Sequence, residues 1–248
     1  MPISLDAHTV KQFDVQLANL RSMVLEMGGL AEDQIKRAVA ALDEEDMAAT
    51  REVIARDRII NGLQLKASED CISLIALRQP LGSDLRTVMS LANTVTDLER
   101  IGDGAKKIAR MTLQIYDGDA NPPNAKLLRD VRPMAELAAD MLHDCLDALA
   151  RLDVQKALTI IHSDDELDQE FQSAMRRLIT YMMEDSRTIG HAINVIFIIK
   201  ALERIGDHCK NIAEHLVYLV EGKNIQQRRN IDPSTSMELA LEEPKQQA

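Results

Sequence analysis

A chain of 248 residues with a formal net charge of −11, and no basic run longer than Arg228-Arg229, lacks the phosphate-neutralising surface that nucleic-acid binding demands. With no Trp, three Tyr and three Phe beside abundant Leu, Ala, Ile, Met, Glu and Arg, the composition is that of packed helices and excludes a strand-rich fold. At 46% hydrophobic the chain can fill a sizeable core, and its few glycines and prolines imply a small number of long helices.

From residue 6 to 42 apolar side chains recur at helical spacing, through Val10, Phe13, Leu17, Leu20, Val24 and Met27 and then Ile35, Val39 and Leu42. One long helix is predicted there, with Gly28-Gly29 as a place where it can bend. The acids Asp43-Glu44-Glu45-Asp46 make a turn and cap a second helix that runs to about residue 77, before Gln79-Pro80-Leu81-Gly82. Ser83 or Asp84 starts a third, running to residue 116. The segment Asp117-Gly118-Asp119-Ala120-Asn121-Pro122-Pro123-Asn124 gathers the turn-forming residue types near the midpoint and is the strongest break in the chain. Beyond it the plan repeats, with helices over residues 125–152, 153–183 and 186–220. The fold class is therefore all-α: two tandem, similar three-helix bundles of six long helices, with residues 1–118 and 119–222 as the two domains. Residues 223–248 turn polar and are expected to form a disordered tail.

The start of the chain has no basic segment followed by an apolar one, so no signal peptide is expected. The most apolar run, residues 192–199, is much shorter than the about 20 residues that a bilayer requires. Cys71, Cys145 and Cys209 are odd in number and scattered, as in a reduced, cytoplasmic protein without a disulfide frame.

The internal repeat is sharpest where Leu98-Glu99-Arg100-Ile101-Gly102-Asp103 returns as Leu202-Glu203-Arg204-Ile205-Gly206-Asp207, and Lys106, Ile108 and Ala109 return as Lys210, Ile212 and Ala213. Upstream, Asp46, Asp57 and Asn61 align with Asp153, Asp164 and Asp168. Residues four apart share a helix face, so Glu99 and Asp103 project side by side, as do Glu203 and Asp207. Like charges at that spacing cost a few tenths of a kcal/mol, and a helical glycine costs about 1 kcal/mol against alanine. Antiparallel packing brings Asp57 and Asn61 opposite the first pair, and Asp164 and Asp168 opposite the second. The stripe of the last helix continues to Asn211.

An isolated Glu-x-x-x-Asp pair is an ordinary solvated face. Its repetition in an identical context points to a divalent cation, Mg, Mn, Fe or Zn, held by carboxylate oxygens of Glu99, Asp103, Glu203, Asp207, Asp57, Asp164 and Asp168. Arg100 and Arg204 are alternative neutralisers, as surface ion pairs. Gly102 and Gly206 either let a neighbouring helix approach or open space above the acids. The six histidines form no metal signature, and neither a P-loop nor a GxGxxG loop is present. Arg86, one turn into the third helix, is either part of an ordinary capping device or a ligand for a phosphate or a partner acid.

The QP turn at Gln79-Pro80, the motif Asp84-Leu85-Arg86 and the doubled LERIGD block resemble the PhoU family of bacterial phosphate-signalling proteins over residues 8–221. The resemblance implies two three-helix bundles whose E/DxxxD motifs bind metal, here Glu99, Asp103, Glu203 and Asp207. It also implies negative control of phosphate uptake and of the phosphate-starvation response, exerted on a sensor histidine kinase and on the ATP-binding subunit of the phosphate transporter. A homodimer is expected. Asn61 opposite Asp168, and Lys107 opposite Asn211, depart from the acidic pattern and weaken the first half as a metal site. Without a nucleophile or cofactor loop, the chain reads as a regulator and not an enzyme. The rival, a carboxylate-bridged di-iron enzyme, would need histidines facing the acids.

Overall fold

The structure, a computed structural model, describes residues 11–116, 123–223 and 225. Its elements are α1 (Lys11–Asp43), α2 (Met47–Arg78), α3 (Ser83–Tyr116), a single turn α4 (Ala125–Leu128), α5 (Val131–Arg151), α6 (Val154–Glu184) and α7 (Ile189–Glu221), with no strand among the described residues. None of these helices is long and apolar enough to cross a membrane.

The repeat is visible in the caps. Asp46 accepts hydrogen bonds from the amides of Ala48 (2.8 Å) and Ala49 (2.9 Å) at the start of α2, and its counterpart Asp153 accepts one from Lys156 (3.0 Å) at the start of α6. Each satisfies a donor that a helix start leaves without an intrahelical partner. Immediately before these caps, Glu45 and Leu152 (both φ 56°) adopt the left-handed conformation after α1 and α5, and Gln79 (φ 46°) does so at the end of α2.

Helices α1, α2 and α3 pack as one bundle and α5, α6 and α7 as the other, and the halves meet through α3 on α7 and α1 on α5. The buried apolar side chains of both halves form one continuous core. Leu98, Ile101, Leu202 and Ile205 lie within it, so the apolar half of each LERIGD block serves packing. Helices α3 and α7 run antiparallel: Arg86 near the start of α3 reaches Leu219 near the end of α7, while Lys107 on the last turns of α3 lies over Phe197 near the start of α7.

Two sequence expectations change. The helix expected over residues 125–152 is split at Arg129-Asp130, because Pro133 has no amide to donate to the Arg129 carbonyl and crowds it. Asp130 instead accepts a hydrogen bond from Arg177 of α6 at 2.8 Å. The last helix begins at Ile189, after a 3-10 turn over Ser186–Thr188. Helix α1 runs unbroken through Gly28-Gly29. Gly28 is a contact between halves, since a Cβ there would stand 2.1 Å from Leu146 Cδ2 of α5. The start of the first helix at residue 6, most of the 117–124 break and the expected disorder of the tail beyond Lys223 fall outside the described residues.

The crossing of α3 and α7 is tight at Gly104, where a Cβ would meet Ile205 Cγ1 at 2.9 Å. Ile205 is buried, so relieving that contact requires its side chain to shift within the interface. Gly104→Leu should therefore lower the unfolding free energy by about 1–3 kcal/mol. Adding Ile205→Ala to the same chain should recover part of that loss, in contrast to its effect alone, as measured by chemical denaturation.

Candidate functional site

In the first half, α2 presents Asp57 and, one turn on, Asn61 to the acids of α3. Asp57 is 2% exposed, and its Oδ2 pairs with Lys106 Nζ at 2.6 Å and accepts a hydrogen bond from Asn61 Nδ2 at 3.0 Å. Asp57 Oδ1 and Asn61 Oδ1 are buried without a hydrogen-bond partner. Arg100 lies 3.4 Å from Glu99 and 3.6 Å from Asp103, so it neutralises the pair as the surface reading anticipates. Burial, then the neighbouring Asp103 charge, raises the Glu99 carboxyl above its ordinary range.

The second half repeats the plan. Asp164, 2% exposed, is paired with Lys210, the counterpart of Lys106. Lys200 Nζ holds Glu203 at 2.6 Å. Asp207 is raised by burial and then by the charges of Glu203 and Asp164, and Asp168 by burial and then by Asp164 and Asp207. The predicted acids are thus brought together on each half, close enough to feel one another. Among the described residues, however, no three of them converge in a geometry that could hold an ion as they stand. The counterions of the two buried aspartates, Asp57 and Asp164, are the ammoniums of Lys106 and Lys210. The signal for these was present, since both lysines belong to the repeated block one turn beyond Asp103 and Asp207.

Both LERIGD glycines serve close approach. A Cβ on Gly102 would stand 3.0 Å from Ile60 Cδ1 and one on Gly206 2.5 Å from Leu167 Cδ2, with Asp57 Oδ1 at 3.7 Å and Asp164 Oδ1 at 3.5 Å. The buried aspartates therefore sit beside the backbone where α2 meets α3 and α6 meets α7.

A further acid, absent from the sequence-derived set, is Asp97 on the opposite side of α3. Its Oδ1 lies 2.8 Å from His208 Nδ1 and its Oδ2 3.0 Å from His215 Nε2, and Asn211 Nδ2 donates to it at 3.3 Å. Burial alone would raise this carboxyl, but the hydrogen bonds from His208 and His215 hold it below its ordinary range. Asn211 thus leaves the acidic stripe to which its spacing assigned it. Each step of four residues advances about 40° round a helix, so two steps carry it to another face. The one sequence signal was His208 and His215 spaced seven apart.

Arg86 reaches across to the other half. Its Nε donates to the Leu219 carbonyl at 3.1 Å, placing a guanidinium at the negative end of the α7 dipole. The cysteines are free and buried, as expected, and burial followed by the Asp70 charge pushes the Cys71 thiol up to about 11.

A model of the PhoU domain matches residues 24–112 and again residues 131–216. The phosphate-specific transport system accessory protein PhoU of Edwardsiella tarda is 40% identical over 222 residues, which are 90% of each chain. The PhoU homologue of Pseudomonas putida is 42% identical over 222 residues, 90% of this chain and 86% of that one. The crystal structure of PhoU from Pseudomonas aeruginosa superposes with a TM-score of 0.82 at 41% identity, covering 86% of this chain and 100% of that chain. The phosphate transport system regulatory protein PhoU from Streptococcus pneumoniae gives a TM-score of 0.77 at 32% identity, covering 86% and 99%. Two domain matches, one on each bundle, together with full-length relatives and superposable structures, make this chain a member of the PhoU family.

Proposed function

We propose that the protein is a non-enzymatic, cytoplasmic regulator of phosphate uptake and a negative regulator of the phosphate-starvation response. It acts as a homodimer that docks on a sensor histidine kinase and on the ATP-binding subunit of the phosphate transporter. The observation that carries this reading is the extent of the likeness: relatives named as accessory proteins of the phosphate-specific transport system match nine-tenths of the chain, through both repeats. The placement of the histidines supports a regulator over a carboxylate-bridged enzyme. His208 and His215 face Asp97 across the α3–α7 interface, and the acid rows are left with oxygen donors.

The acid rows suit a divalent cation, Fe, Zn, Mn or Mg, by donor chemistry and by one specific feature, the unpartnered Asp57 Oδ1 and Asn61 Oδ1. Asp57, Glu99 and Asp103 would hold it on the first half, and Asp164, Asp168, Glu203 and Asp207 on the second. A bound cation would supply positive charge that relieves the carboxylate repulsion and stiffens the surface a partner meets. For oxygens now paired with an ammonium to take part, Lys106 and Lys210 must swing outward.

Two measurements test the proposal. In capture assays the wild-type chain should retain both the transporter ATPase and the kinase. A chain with Glu99, Asp103, Glu203 and Asp207 changed to the amides should retain them more weakly, and failure of the wild type to retain either would remove the docking reading. In thermal unfolding, a cation at a hundred times its dissociation constant adds about 2.7 kcal/mol, roughly 5–10 °C for a domain of this size. That rise should shrink in Asp207→Asn/Glu203→Gln and vanish when Glu99 and Asp103 are changed to the amides as well.

Without added metal the sign is set by the raised carboxyls. Glu99, Asp168 and Asp207 keep their protons in the fold to a higher pH than in the unfolded chain, so the stability these three groups contribute is fully present below their unfolded values and is lost as pH rises through their folded ones, opposite in sign to the contribution of the lowered Asp97. Asp207→Asn should thus raise the melting temperature of the metal-free protein at neutral pH and flatten its slope on the acid side.

A further inference from the structure

Six basic side chains, Arg100, Lys106, Lys107 and Arg110 of α3 with Lys200 and Arg204 of α7, line one cavity of about 490 Å³ between the two halves. Its one acidic lining residue among those described is Asp103. The concentration stands out in a chain whose net charge is −11. We infer that this groove is a binding site for a small polyphosphoryl anion, a compound carrying two or more linked phosphoryl groups.

The charge left over is the first argument. Lys106 is paired with Asp57, Lys200 with Glu203, and Arg100 with Glu99 and Asp103. Arg110 and Arg204 have no acidic partner among the described residues, and Lys107 has only the Phe197 ring, 4.9 Å below its ammonium. Like charges gathered in a concave surface repel one another, and the low-dielectric walls strengthen their field on an entering anion. Two unpaired guanidinium forks suit bidentate recognition of phosphoryl oxygens.

Shape is the second argument. The floor is formed at the α3–α7 crossing by Gly104, Ala201 and Ile205, and Gly104 leaves it without a side chain. The volume lies in the range of small-molecule sites, roughly 300–1,000 Å³. A lone orthophosphate would leave most of the space and some of the cations unused, whereas two or three linked phosphoryl groups can span from Arg110 to Arg204. A long polyanion is disfavoured by the acidic surface around the groove, which would repel its overhanging length. The two sources of such an anion differ at Phe197, which is 47% exposed at the wall. A nucleotide can stack a base there once Lys107 turns aside, while an inorganic phosphate chain gains nothing from the ring.

The groove shares Asp103 and Lys106 with the metal reading above, and its test in chelator is separate from both that reading and the docking one. Its test is calorimetric titration of the full-length protein, in chelator at low salt, with sodium tripolyphosphate, ATP, orthophosphate and sulfate. Saturable binding of tripolyphosphate at one site per chain is expected, weakening as salt rises, with orthophosphate and sulfate weaker. Arg110→Gln/Arg204→Gln, at two exposed positions, should weaken it roughly tenfold or more, with an unchanged circular dichroism spectrum. Arg132→Gln, on the separate cleft between α1 and α5, should leave it unchanged. ATP affinity that drops in Phe197→Ala assigns the site to nucleotides; equal ATP and tripolyphosphate affinities, insensitive to that change, assign it to phosphate chains. Absence of saturable binding, equal binding by the double variant, or binding of an acidic peptide but not of tripolyphosphate would overturn the inference.

Discussion

The antiparallel pairing of α3 with α7 is the constraint on which the rest of the molecule depends. Each helix carries its own half's Glu/Asp pair on one side and buries its leucines and isoleucines on another, so the side left over must meet the other half. Gly104 allows that meeting, because any larger residue would run into Ile205. Gly28 does the same for α1 against Leu146 of α5. At the far end of the pair, Arg86 binds the Leu219 carbonyl and holds the start of α3 to the end of α7. The halves are thus joined from Arg86 to Lys107 of α3 and share one core, although each repeats the same three-helix plan.

Within each half the expensive feature is a buried aspartate. Asp57 and Asp164 are each almost wholly removed from water, and each has one lysine as counterion. A buried ion pair is often no more stabilising than apolar residues of the same size, because two desolvation costs offset the attraction. Two leucines at those sites would hold α2 on α3 and α6 on α7 at least as well. The same lysine–aspartate pair stands at the corresponding place in both repeats, with raised carboxyls clustered beside it, and core packing alone gives no reason for it.

Much of the architecture was legible in the sequence, because long amphipathic helices write their period into it and an identical six-residue block marks the two copies. The acids of the candidate site were legible for the same reason: spacing on one helix determines which side chains share a face. Contacts between distant helices were not. Gly28 read as a bend because a glycine in a helix signals weakness locally, whereas its use is set by Leu146, more than a hundred residues away. Asp97 carried no signal of its own, since a single acid beside Leu98 is unremarkable until His208 and His215 are brought against it. No basic run in the sequence exceeds a pair, Lys106-Lys107 being as short as Arg228-Arg229, because the cations of the groove come from two helices and are interspersed with other residues along each.

The duplication explains why the α3–α7 interface has two unlike ends. The spacing that relates Leu98 to Leu202 also relates Asp97 to Ala201, Gly104 to His208 and Lys107 to Asn211. The contact of Asp97 with His208 and Asn211 is therefore the repeat-related counterpart of the place where Ala201 lies near Gly104 and Lys107. At one end large polar residues fill the space and neutralise one another. At the other, the same positions hold an alanine, a glycine and a lysine, so space opens and a cation is left over. Arg100 and Arg204, identical by descent from the repeat, both reach that second end. A symmetric pair of helices has in this way been made asymmetric by a few substitutions, with one end a closed polar clasp and the other a recessed basic groove.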